Sequence, residues 1–219
     1  MMPLWDESRR PVNFPIVTLL IIGANIFVFM LELSGSDQFV LRWSATPANI
    51  TSGHQLVTLL TSMFMHGGWA HIIGNMVFLW AFGPQIEDIM GPVRYLAFYL
   101  LGGIIAMATQ IWASPTSTIP LLGASGAIAA VMGAFIVTYP RDRIRTLLFF
   151  GFFVRTAFIP AALLIGVWFV FQLLSAGAGA ISAVSTDDVA YLAHVGGAVF
   201  GAMAVRWFED PERIAEVGN

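Results

Sequence analysis

The sequence predicts an all-α fold: a polytopic membrane protein built as a bundle of six transmembrane helices. Composition is the first ground. Hydrophobic residues make up 58% of the chain and charged residues only 11%, with a mean hydropathy of +0.79; soluble domains carry about 25% charge. The second ground is a set of apolar stretches near the ~20 residues a helix needs to cross a bilayer. They cover residues 14–33, 56–82, 93–112, 123–139, 157–175 and 189–208. The third is punctuation between them by Pro47 and Gly53, Gly83-Pro84, Gly91-Pro92, Pro115 and Pro120, and Pro140, residues that end or bend helices. The chain divides into a cytoplasmic segment 1–13, a membrane domain 14–208 and a cytoplasmic tail 209–219.

Residues 1–10 are polar and mixed in charge. The first apolar stretch lacks a small-x-small cleavage site, so it reads as a retained span rather than a signal peptide. The second carries a polar cluster at one end, taken up below. Residues 145–155 enclose an apolar run, 147–154, too short to span; it reads as interfacial or as a lead-in to the fifth helix. Residues 176–188, rich in Gly, Ala and Ser, read as a flexible loop.

Basic residues orient the bundle, because they concentrate in cytoplasmic loops. All 10 are arginines. With the N-terminus inside, Arg9, Arg10, Arg94, Arg141, Arg143, Arg145, Arg155, Arg206 and Arg213 are cytoplasmic and only Arg42 is outside. Both termini are then cytoplasmic, and helices two, four and six all run inward. The net charge of -3 and the lack of a basic tract argue against a nucleic-acid partner. The absence of cysteine removes thiol chemistry and disulfides.

In this topology two costly polar residues share a depth. Ser125 heads helix four in Gly123-Ala124-Ser125-Gly126, and His194 lies near the start of helix six in Ala193-His194-Val195-Gly196-Gly197. At about 1.5 Å per residue, Ser125 lies about 22 Å above Pro140 and His194 about 18 Å above Arg206. Each heads a stripe of small residues: Ser125, Ala129 and Gly133 on one helix, His194, Gly197 and Gly201 on the other. Such stripes let helices approach closely. Packed by these faces, the serine and histidine meet as an activated nucleophile. On helix two, His71 and Asn75 are one turn apart on one face. Both can donate hydrogen bonds to the charge that develops on a carbonyl oxygen in acyl transfer.

Gly123-x-Ser125-Gly126, Ala193-His194-x-x-Gly197-x-x-x-Gly201, His66-x-x-x-x-His71-x-x-x-Asn75 and Gly83-x-x-x-Glu87-x-x-x-Gly91 together resemble the motifs of rhomboid intramembrane serine proteases. The likeness runs from about Phe14 to Phe208 in the order of the six-helix bacterial form. It implies a rhomboid-like fold and a Ser125–His194 catalytic dyad without a carboxylate. It also implies an oxyanion hole from Asn75, His71 and the Ser125 N–H, with Gly133, Gly197 and Gly201 as helix-packing residues. The expected substrates are single-span transmembrane proteins cut near the outer membrane face. Membrane lipids are the other expected partners, no metal or organic cofactor is implied, and the expected location is a bacterial inner membrane. The position four after the serine is often aromatic in the family and stacks on the histidine. Here it is Ala129, so another aromatic, such as Tyr191 or one on helix two, is expected to brace His194.

Other classes fit less well. Transporters place carboxylates inside their spans, and here none falls mid-span. Four histidines on the outer side (His54, His66, His71, His194) suggest a metalloenzyme, but the His-Glu-x-x-His signature is absent. A relative that has lost catalysis and only binds membrane proteins is the remaining alternative.

Overall fold

A computed structural model describes residues 1–150, 153–181 and 190–217. The chain opens with a strand, β1 (Met2–Asp6), then a long helix, α1 (Ile16–Ser34). Short helices α2 (Asp37–Trp43), α3 (Pro47–Thr51) and α4 (Thr58–Thr61) follow, the last running into a 3-10 turn at Ser62–Phe64. Three long helices come next: α5 (Trp69–Met90), α6 (Pro92–Ala113) and α7 (Ser125–Thr138). Strands β2 (Arg143–Phe150) and β3 (Phe153–Pro160) lead to α8 (Ala161–Ile181), α9 (Tyr191–Phe208) and the short α10 (Pro211–Val217).

Three features depart from the sequence reading. The protein is not all-α: β1, β2 and β3 form an antiparallel sheet in that order. The run read as a lead-in to the fifth helix is the β2–β3 hairpin, with Arg143 opposite Pro160 and Phe150 opposite Phe153. Its Phe, Val, Thr and Ile residues suit a pleated, half-buried surface, and Ile144 and Thr146 alternate into the interior. The fifth helix therefore starts at Ala161. The hairpin also recruits the N-terminal segment as a third strand, ending at Asp6. Burial, with Asp142 nearby, pushes the Asp6 carboxyl up to about 7.

The second long helix is displaced toward the C-terminus. Residues 56–68 form α4, the 3-10 turn and an extended link, and α5 starts only after Gly68, whose φ of 155° no other residue type adopts readily. α5 then continues through Gly83-Pro84 to Met90. Proline inside a helix removes one backbone hydrogen bond, and here it does not end the helix. The third departure concerns length. Among the described residues, only Ile16–Ser34 and Pro92–Ala113 are both long and apolar enough to cross a membrane. α7 has 14 residues, about 21 Å, less than the ~30 Å hydrocarbon core. The loop expected at 176–188 is helical through Ile181; residues 182–189 lie outside the described residues.

α7 is the central post, packed on α5, α6, α8 and α9, with every residue from Ala127 to Phe135 buried. Its partnership with α9 is the tightest. A Cβ on Gly197 would strike the Gly126 carbonyl, one on Gly201 the Ala130 carbonyl and one on Gly133 the Ala198 carbonyl. Gly126 with Gly197 and Ala130 with Gly201 rise together in sequence, so the two helices run parallel. The contact face on α7 is Gly126, Ala129, Ala130 and Gly133, which shares Ala129 and Gly133 with the Ser125 stripe read from the sequence. Glu87, at the far end of α5, accepts the Val17 and Thr18 N–H groups and the Thr18 hydroxyl at 2.7–2.8 Å. It thereby satisfies donors left open at the start of α1. Asp88 takes the Val12 and Asn13 N–H groups at 2.8 and 3.0 Å.

Candidate active site

Ser125 is the first residue of α7, and His194 lies one turn into α9. The close approach of the two helices brings the His194 Nε2 within 2.7 Å of the Ser125 Oγ. His194 is 8% exposed. Its Nδ1 lies 2.8 Å from the Oε1 of Gln172 on α8, itself 6% exposed. Trp168, one turn earlier on α8, sets its ring 5.7 Å from the imidazole at 39°. The brace on His194 therefore comes from α8, not from Tyr191 or helix two. Ala129 instead fills the α7–α9 contact beside Gly197. Sequence reasoning missed both Gln172 and Trp168; their one signal is a lone amide in an otherwise apolar stretch, one turn after a tryptophan. At the start of α9, the Gln110 side chain of α6 accepts the Ala193 N–H at 3.3 Å, one of the donors a helix start leaves open.

A second cluster lies beside the chain that leads into Ser125. Gly123 has φ of 120° and is held by its N–H, which donates to the Ser62 carbonyl at 2.9 Å. A Cβ there would lie 2.7 Å from the His71 Nε2 and 3.7 Å from the Asn75 Nδ2, so glycine is required by both backbone and space. His71 Nδ1 accepts the Gly67 N–H at 3.4 Å, which leaves the ring hydrogen on Nε2, the nitrogen beside Gly123. His66 Nδ1 faces the Phe64 carbonyl at 3.3 Å. Its Nε2 is then an acceptor, and takes a hydrogen bond from Asn75 Nδ2 at 2.9 Å. The second hydrogen of that amide stays available on the Gly123 side. Glu32 of α1 accepts the His66 N–H at 3.0 and 3.2 Å, fixing the loop on which His66 stands.

A cavity of about 20 Å³ adjoins Ser125, walled by Met63, Met107, Leu121, Leu122, Ala190 and Ala193 among others. That is space for a water or a methyl-sized group. Among the described residues, no group of three or more His, Asp or Glu side chains is placed to hold a metal ion, and His54 lies away on the exposed turn after α3.

A mostly helical fold with a half-buried serine against a buried histidine defines the class, and comparison with known proteins defines the family. The Rhomboid domain model matches residues 53–208. The mitochondrial presenilin-associated rhomboid-like protein of Bos taurus is 32% identical over 184 residues, 83% of this chain and 45% of that protein. The mitochondrial Rhomboid protein 1 of Saccharomyces cerevisiae is 25% identical over 188 residues, 84% of this chain and 50% of that protein. The rhomboid protease GluP of Bacillus subtilis is 32% identical over 126 residues, 56% of this chain and 24% of that protein. The chain belongs to the rhomboid family, which is membrane-embedded and includes serine proteases. It spans about half the length of the first two relatives.

Proposed function

We propose that the protein is an intramembrane serine endopeptidase that cuts single-span transmembrane proteins near the outer membrane face. One observation carries the reading: the 2.7 Å hydrogen bond between the Ser125 hydroxyl and His194 Nε2, half-buried where helices pack on glycine. A buried imidazole with its lone pair toward a serine hydroxyl has the geometry of a general base. Ser125 Oγ attacks the scissile carbonyl while its proton passes to Nε2. The tetrahedral oxyanion receives hydrogen bonds from Asn75 Nδ2, His71 Nε2 and the Ser125 N–H. Collapse expels the amine, which takes the proton from His194 and leaves an acyl-enzyme. A water, deprotonated by the same histidine, releases the acid. The small cavity beside Ser125 suits a small side chain next to the cut bond.

The six long helices α1, α5, α6, α7, α8 and α9 are the proposed spans, with both termini cytoplasmic. The short α7 is buried among other helices from Ala127 to Phe135, and in this reading its outer end lies below the membrane surface, where water can reach Ser125. The bacterial inner membrane expected from the sequence stays part of this proposal; one relative is from Bacillus subtilis and two are mitochondrial by name.

The test is labelling of purified protein with a fluorophosphonate. Wild type should label, and Ser125→Ala and His194→Ala should not. Equal labelling of wild type and Ser125→Ala would overturn the assignment.

A further inference from the structure

We propose that Gln172 of α8 is a positioning residue for the reaction, selecting the His194 tautomer that can accept the Ser125 proton. The inference deepens the dyad reading and rests on it. An amide oxygen accepts hydrogen bonds and cannot donate. Because Gln172 Oε1 faces Nδ1 at 2.8 Å, the neutral ring must carry its hydrogen there. The lone pair is then on Nε2, 2.7 Å from the serine hydroxyl. With the opposite tautomer the Nε2–H would donate to the serine oxygen and have no lone pair to take its proton, while a bare Nδ1 would face the amide oxygen and that hydrogen bond would be lost. Both side chains are buried, so water does not readily replace the lost partner, and leaving a buried polar group unsatisfied is unfavourable.

The same contact works after proton transfer. The imidazolium keeps its Nδ1–H on Gln172, and hydrogen bonds from a charged donor are roughly twice as strong as neutral ones. Gln172 is neutral, so it orients the ring without the added attraction of a carboxylate. Trp168, on the same face of α8, restrains the imidazole plane. Neither residue is in the motifs on helices two, four and six; both come from α8, a helix that carries none of them.

The experiment is the rate of fluorophosphonate labelling against pH, with the full chain in detergent. In that reaction the Ser125 oxygen forms a bond to phosphorus, fluoride leaves, and the hydroxyl proton passes to His194. Gln172→Leu should lower the maximal labelling rate about 10- to 100-fold, part of the 10²–10⁴ that a positioned base supplies, with half-saturating probe concentration changed less than about two-fold. Gln172→Glu keeps the length and the accepting oxygen but adds charge. It should restore labelling well above Gln172→Leu and move the acidic limb of the profile to higher pH, because a carboxylate favours the imidazolium. A merely structural role would make the buried charge at least as harmful as leucine and leave the limb in place. If Gln172→Leu does not fold, the pH profile of Gln172→Glu decides alone. Wild-type labelling by Gln172→Leu, or an unmoved limb in Gln172→Glu, overturns the proposal. Labelling of wild type that survives Ser125→Ala removes instead the dyad on which it rests.

Discussion

Asn75 is aimed by a relay that starts on another helix. The Glu32 carboxylate holds the His66 backbone, His66 Nε2 takes one amide hydrogen of Asn75, and the other is left on the side of Gly123. An amide pinned in this way needs no reorganisation when an oxyanion forms, which is where such donors have their largest effect. Asn75→Ala is therefore expected to lower the turnover number for a transmembrane substrate by about 10²–10³-fold, the usual loss for one oxyanion donor. Substrate binding should change little. A loss confined to binding would show that Asn75 contacts substrate elsewhere or only supports the fold. The motif residues were legible in the sequence because polar groups in apolar stretches are conspicuous. Gln172 and Trp168 were not, because nothing in a lone stretch says which helix it faces; that is set by packing among α7, α8 and α9.

At the scale of elements, the site exists because α7 and α9 lie closer than side chains would allow. Gly201 has no room for a Cβ, which would meet the Ala130 backbone carbonyl rather than a flexible side chain. Gly201→Ala must push the helices apart and should cost about 1–3 kcal/mol, as overpacking does. It should also slow labelling at Ser125, since the 2.7 Å contact to His194 spans the same gap. Gly23→Ala on α1, where nothing lies within 4 Å, is the control and should melt at or slightly above wild type. Equal melting temperatures for the two variants would show that the helices can part at no cost. The small-residue stripes made this contact readable in advance, to within one position on α7. The β-sheet was hidden for the opposite reason. Its strands pair residues far apart in the chain, Met2 with Leu147 and Asp6 with Ile144, and an apolar hairpin beside a span reads locally like more membrane helix. The start of α5 was misplaced because an unbroken apolar stretch outweighed Gly67-Gly68 as a boundary.

For the whole molecule, charge is sorted to one end. The end that carries the sheet joins Arg9 to Asp142, Arg94 to Asp210 and Arg206 to Glu209, and Arg213 reaches the Asp88 carbonyl. Arg42, on α2, stands with the segment that pairs Ala45 with Leu121 just before Ser125. The serine thus lies toward the arginine-poor end, the end that the proposed topology turns outward by the positive-inside tendency. Absence of cysteine makes the orientation directly measurable, because single cysteines report without background. Thr118→Cys, exposed in the loop before Ser125, should react in intact cells with a membrane-impermeant maleimide. Arg10→Cys, exposed ahead of α1, should react only after the membrane is opened. The reverse pattern would turn the molecule over and move the proposed cleavage to the cytoplasmic face. In either orientation Ser125 and His194 stay together, since their contact depends on α7 and α9 running parallel and not on which side of the bilayer they start from.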